Sequence, residues 1–201
     1  MRYEPTLEPT VRLDPAKAYL YGRFRLNPGS QDSPRLAMDL TCLDNGQTLS
    51  VAFNRAGEEH YLIEVPPGRY QFTHLLLAST VAALGPVKRA PLELPPRAGV
   101  LGTPFTVVAG KAYYVGDYVG VVSREMSEGT VPAAVKTAWG LYRASFDYDG
   151  ATAEMKQRYP SLGPVETVPA WKLRPRPRRS PPIEAGLPAG APTPVPRAGE
   201  G

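Results

Sequence analysis

A chain of 201 residues with 23 basic and 19 acidic side chains, 24 prolines and one cysteine has room for one cored domain and a tail, and rules out an internal disulfide or a multi-cysteine metal site. Residues 1–170 hold 17 basic and 17 acidic side chains, so the whole net charge of +4 falls after them, which speaks against a folded face that binds nucleic acid. No apolar run reaches the length of a membrane-spanning helix and MRYEPTLEPT lacks the apolar core of a signal peptide, so read from Met1 the chain is expected to be soluble and not exported.

Residues 1–16, with three prolines and no periodicity, read as an extended lead-in. In AYLYGRFRLN a two-residue period then begins: Leu20, Gly22, Phe24 and Leu26 share one face and Tyr19, Tyr21, Arg23, Arg25 and Asn27 the other, as in a half-buried strand. RLAMDLTCLDNGQTLSVAFN predicts a β-hairpin, with Leu36, Met38, Leu40 and Cys42 on its apolar face, a turn at Asn45-Gly46, and Leu49, Val51 and Phe53 on the return. Tyr61, Ile63 and Val65 mark another strand. Pro66 and Pro67 cannot donate to a ladder and Gly68 tolerates positive φ, so EVPPGRYQF predicts a corner before a strand whose inner face is Tyr70, Phe72, His74 and Leu76.

Five prolines between Ser79 and Pro104 predict a long irregular connection. In FTVVAGKAYYVGDYVGVVSR, Ala109-Gly110-Lys111 reads as a hairpin turn between two strands, and KTAWGLYRASFDYD gives one more strand. GATAEMKQRYPSL is the only helical segment, with Thr152 as its cap and Pro160 as its stop. Seven or eight short strands with no helix-sized crossover between them predict an all-β fold, an antiparallel β-sandwich over residues 17–163. After Trp171 come 8 prolines and 6 basic against 2 acidic residues in 31 positions counted from Trp171, and residues 164–201 are expected to form a disordered basic tail.

Chemistry is harder to find. His60 and His74 have no partner at helical spacing and there is no second cysteine, so no metal or cofactor is expected. His74 reads as a core histidine and His60, beside Glu58 and Glu59, as a solvated loop residue. The alternation places Cys42 among apolar residues as a buried thiol, and neither a Gly-x-Ser-x-Gly elbow nor a phosphate loop occurs. Asp147 and Asp149 in FDYDG form the one tight carboxylate pair near aromatics: a candidate cation site or acid–base pair, with an ordinary polar turn as the structural alternative. Tyr19, Tyr21, Tyr113 and Tyr118 are candidates for an exposed row that binds glycan or peptide, with cross-strand stabilisation as their structural alternative. Lys172, Arg174, Arg176, Arg178 and Arg179 are candidates for weak, salt-sensitive contact with a polyanion.

VPPGRYQF followed by FTVVAGKAYYVGDYVG resembles a group of uncharacterised bacterial envelope proteins and lipoproteins, small β-sandwiches of the prealbumin-like or PEGA-like kind. These carry a Pro-Gly-x-Tyr turn and an Ala-Gly-Lys-x-Tyr-Tyr-x-Gly hairpin; YLYGRF and EMKQRYPSL extend the likeness over about residues 17–163. The resemblance implies a cell-envelope setting and brings no shared enzymatic residues. The group usually carries a lipid-attachment cysteine, which Cys42 is not. The expected function is therefore a non-enzymatic structural or interaction module whose partner is a protein or envelope polymer. A tyrosine-based binding module comes second and an enzyme of unrecognised type third.

Overall fold

The computed structural model describes residues 6–30, 35–78, 87–92, 102–126 and 135–172, which form two facing sheets with a helix on the outer side of one. In the first sheet β1 (Ala18–Leu26) lies between β4 (His60–Val65), antiparallel to it, and β8 (Lys111–Met126), parallel to it. The far edge of β8 takes β10 (Glu166–Pro169) along its first part and β9 (Val135–Ser145) along its second. In the second sheet β2 (Arg35–Cys42) lies between β3 (Thr48–Ala52) and β5 (Gly68–Ala78), and β5 also carries β6 (Lys88–Pro91) and β7 (Phe105–Val107). The all-β sandwich is thus the observed architecture. Two pairings are parallel: between β1 and β8 the chain runs through β4 and the second sheet, and between β8 and β10 it runs through β9 and the helix Tyr148–Arg158.

Through β1, β2 and β3 the core lies where the alternation places it. Leu20, Phe24 and Leu26 from the first sheet meet Leu36, Met38, Leu40, Cys42, Val51 and Phe53 from the second, all buried. Each such side chain contributes about 1.5–3 kcal/mol when taken fully out of water. Phe24 is the hub, with its ring 5.3 Å from Tyr118, 5.6 Å from Tyr61, 5.8 Å from Phe53 and 6.0 Å from Phe72. The predicted hairpin turn is present, with Gly46 at φ 73°.

EVPPGRYQF is a corner between sheets. Tyr70 and Phe72 enter the core, and the Tyr70 hydroxyl donates to the Pro66 carbonyl at 2.9 Å. Gly68 is not among the positive-φ glycines, however, so its tightness is steric: a Cβ there would stand 3.1 Å from Asp44 Oδ2 and 3.4 Å from Cys42 Sγ. Replacing Gly68 therefore meets packing rather than the backbone strain expected from its turn position. Ala109-Gly110, with Gly110 at φ 78°, also links sheets instead of closing a hairpin, since β7 pairs with β5 and β8 with β1.

Three irregularities shift the alternation. Against β2, Thr73 is an extra residue in β5, so Asp39 faces His74 and Leu40 faces Phe72. His74 is thereby turned to the outer face, half-buried, and Leu75 and Leu77 enter the core instead of His74 and Leu76. In β8 the step from Tyr114 to Asp117 spans what β1 covers from Tyr21 to Arg23, and Gly116 takes φ 102°. In β9 the same happens at Tyr142, since Val119 pairs with Arg143 and Gly120 with Leu141.

The helix α1 (Tyr148–Arg158) starts four residues before Thr152. Asp147 is its N-cap, the carboxylate accepting from the Gly150 N–H at 3.2 Å, while Asp149 adds negative charge in the first turn. The helix and the 3₁₀ turn Pro160–Leu162 place Ala151, Met155, Tyr159 and Leu162 over Tyr19, Tyr21, Leu62 and Tyr114. The lead-in is tied down as well: the Leu7 N–H donates to the Leu62 carbonyl at 2.7 Å, and Leu7 and Leu13 pack on the same cluster. The domain also continues past residue 163, because β10 pairs with β8 and Trp171 is buried on Phe105, its indole N–H donating to the Thr103 carbonyl at 2.8 Å.

Candidate functional site

The four tyrosines expected as an exposed row are scaffold. Tyr19 and Tyr21, on the outer face of β1, are 1% exposed because α1 and the lead-in cover them; Tyr113 and Tyr118 point into the sandwich core. Their hydroxyls are used internally. Tyr19 exchanges hydrogen bonds with the Asp14 backbone, Tyr21 bonds the Thr152 hydroxyl at 2.7 Å, and Tyr118 donates to the Val115 carbonyl at 2.9 Å. Burial raises the pKa of Tyr21, Tyr70, Tyr114 and Tyr118, so these phenols stay neutral where a free tyrosine ionises. The exposed tyrosine on these strands is Tyr142, at the bulge of β9.

Asp147 and Asp149 stand at the start of a helix, the turn alternative in its helical form, with the Asp147 carboxylate engaged by the cap. Cys42 is a buried free thiol in the core. Lys172 is exposed at the end of the described chain, and Arg174, Arg176, Arg178 and Arg179 lie outside the described residues. Among the described residues, no three His, Cys, Asp or Glu side chains converge as a metal-binding group would, and no helix is long and apolar enough to cross a membrane.

Two polar groupings stand out among the described residues. On the second sheet the Asp39 carboxylate is 1% exposed, accepts from the Ser50 hydroxyl at 2.7 Å and pairs with Arg89 at 3.2 Å, with His74 opposite in the register. A serine bonded straight to a carboxylate, with no imidazole between them, lacks the base of a nucleophilic triad.

The larger grouping lies on the outer face of the first sheet, beyond the edge of α1. The alternation of β1 puts Arg23 and Arg25 there, the β8 bulge brings Asp117 to the same face, and the β9 bulge does so for Arg143 and Ser145. With Glu59 from the loop before β4, they line a cleft of about 220 Å³. Arg23 and Asp117 form a two-pronged pair, Nε to Oδ1 at 2.9 Å and Nη2 to Oδ2 at 2.7 Å, which holds the guanidinium pKa above its ordinary value. Arg23 Nη1 also donates to Glu154 on α1 at 3.0 Å. His60 Nε2 stands 3.2 Å from the same Glu154 oxygen, so His60 is a half-buried member of this network and not the solvated loop residue expected.

Arg25 and Glu59 differ from this closed network. Arg25 Nε and Glu59 Oε2 are both buried with no hydrogen-bond partner. Nothing in the sequence singles out Glu59, Asp117 or Arg143, and alternation alone places Arg23 and Arg25 on a strand face. The available signal was two arginines at alternate positions beside tyrosines that turned out to be covered. Electrostatically the cleft lining holds three guanidiniums against two carboxylates. Such an arrangement suits the positioning of an anionic group by charged hydrogen bonds, and it offers no nucleophile with a base beside it.

No family model matches the chain, and no match was found among curated proteins or solved structures.

Proposed function

We propose that this chain is a non-enzymatic β-sandwich module that acts by binding a partner, in the bacterial envelope setting implied by its likeness to envelope proteins. The observation that carries the reading is the employment of its reactive groups. Asp147 caps a helix, Asp117 is locked to Arg23, Asp39 to Ser50 and Arg89, and Cys42 is buried, while a polar cleft stays open on the outer face of the first sheet. Catalysis would need such groups to converge on a shared reacting position.

The test is turnover. Purified full-length chain offered ester, phosphoester, glycoside and peptide substrates should give rates at the buffer background. Reproducible turnover that disappears in Asp147→Asn, Asp149→Asn or His74→Gln would overturn the reading.

A further inference from the structure

The cleft's chemistry narrows what it can hold. Arg23 is spent on Asp117 and Glu154, so the groups left to recognise a ligand are Arg25, Arg143, Ser145 and Glu59. A buried guanidinium N–H without an acceptor and a buried carboxylate oxygen without a donor each carry a desolvation cost that a complementary group would relieve. Arg25 asks for an acceptor and Glu59 for a donor, within one cleft.

A bare oxyanion would satisfy Arg25 and be repelled by Glu59. A neutral polyol would satisfy Glu59 and waste both free guanidiniums. A zwitterion such as an amino acid supplies an acceptor and a donor but brings no net charge to a lining with one excess positive charge, three guanidiniums against two carboxylates. What satisfies all of these is a net anion with a hydroxyl next to its charged group. The cleft volume, about 220 Å³, is below the roughly 300–1,000 Å³ of pockets that enclose whole small molecules, so it fits one such head group with the rest of the ligand outside.

We propose that the cleft binds a hydroxylated oxyanion head group, a sugar acid or sugar phosphate, with Arg25 and Arg143 holding the anion and Glu59 accepting from the hydroxyl. Because both unpartnered atoms are closed off from solvent, their side chains turn to meet the ligand. This assignment rests on the interaction reading above and gives it a ligand class.

Calorimetric titration of the full-length chain with glucuronate, glucose 6-phosphate, glucose, acetate and glycine tests it. Glucuronate or glucose 6-phosphate should bind at least about tenfold more tightly than each of the other three, and which of the two binds better separates a carboxylate ligand from a phosphate one. Arg143→Ala, at an exposed position, should weaken that binding about tenfold with an unchanged melting temperature. Glu59→Gln should weaken glucuronate and strengthen acetate. The proposal is overturned if neither acid binds at about 10 mM, if glucose or glycine binds as tightly, or if Arg143→Ala changes nothing. Absence of binding together with absence of turnover would remove this assignment alone, whereas turnover would remove the reading beneath it.

Discussion

Phe24→Ala should destabilise the domain by about 3–5 kcal/mol. The Phe24 ring is 2% exposed and packs against Phe53, Tyr61, Phe72 and Tyr118, which come from both sheets. Its removal loses the transfer free energy of a phenyl group and leaves a cavity walled by rigid aromatic rings that collapse poorly. In denaturant unfolding the midpoint should fall while the slope stays the same, because the surface exposed on unfolding hardly changes. A loss below about 1 kcal/mol would mean that the sheets do not meet at Phe24.

Gly22→Ala should cost about 3 kcal/mol although it adds only a methyl group. A Cβ on Gly22 would stand 2.5 Å from the Gly116 carbonyl oxygen and 3.3 Å from Val115 Cγ2. The first obstacle is backbone, in a parallel strand pair whose register depends on the bulge at Gly116, so no side-chain rotation relieves it. Gly140→Ala is the internal control: nothing lies within 4 Å of its added Cβ, and its effect should stay within about 0.5 kcal/mol. Equal effects at the two glycines would remove the β1–β8 bulge from the account.

These residues also show what the sequence made legible. Phe24 was placed on the inner face by alternation alone, as were the hairpin from Leu36 to Phe53 and the corner at Pro66-Pro67, because each reports directly on a face buried between sheets. The phase shifts at Thr73, Gly116 and Tyr142 were not readable, since one extra residue against a partner strand is a property of the pairing. Simple alternation therefore points His74 inward, whereas the extra residue turns it out. Tyr19 and Tyr21 lie on the outer face that alternation predicts, but α1 covers that face, and the docking site of a helix so distant in sequence has no local signal. The arginine cleft joins Arg25, Glu59 and Arg143 from separate elements, and no local spacing could announce it.

Tyr19, Tyr21, Tyr113 and Tyr118 are buried scaffold that offers no exposed aromatic face to a ligand. Burial raises the folded-state pKa of Tyr21, Tyr70, Tyr114 and Tyr118 above the unfolded value of about 10. The stability linked to them is therefore fully present below about pH 10 and is lost progressively as pH rises above it, toward the folded-state values, because the unfolded chain releases its phenolic protons first. A spectrophotometric titration from about pH 9 to about pH 12, followed in parallel by near-ultraviolet circular dichroism, reads this directly. Of the 11 tyrosines, the exposed ones should ionise while the fold persists, and the buried set only together with the loss of tertiary signal. Ionisation of all 11 near their ordinary value in an intact fold would contradict the account.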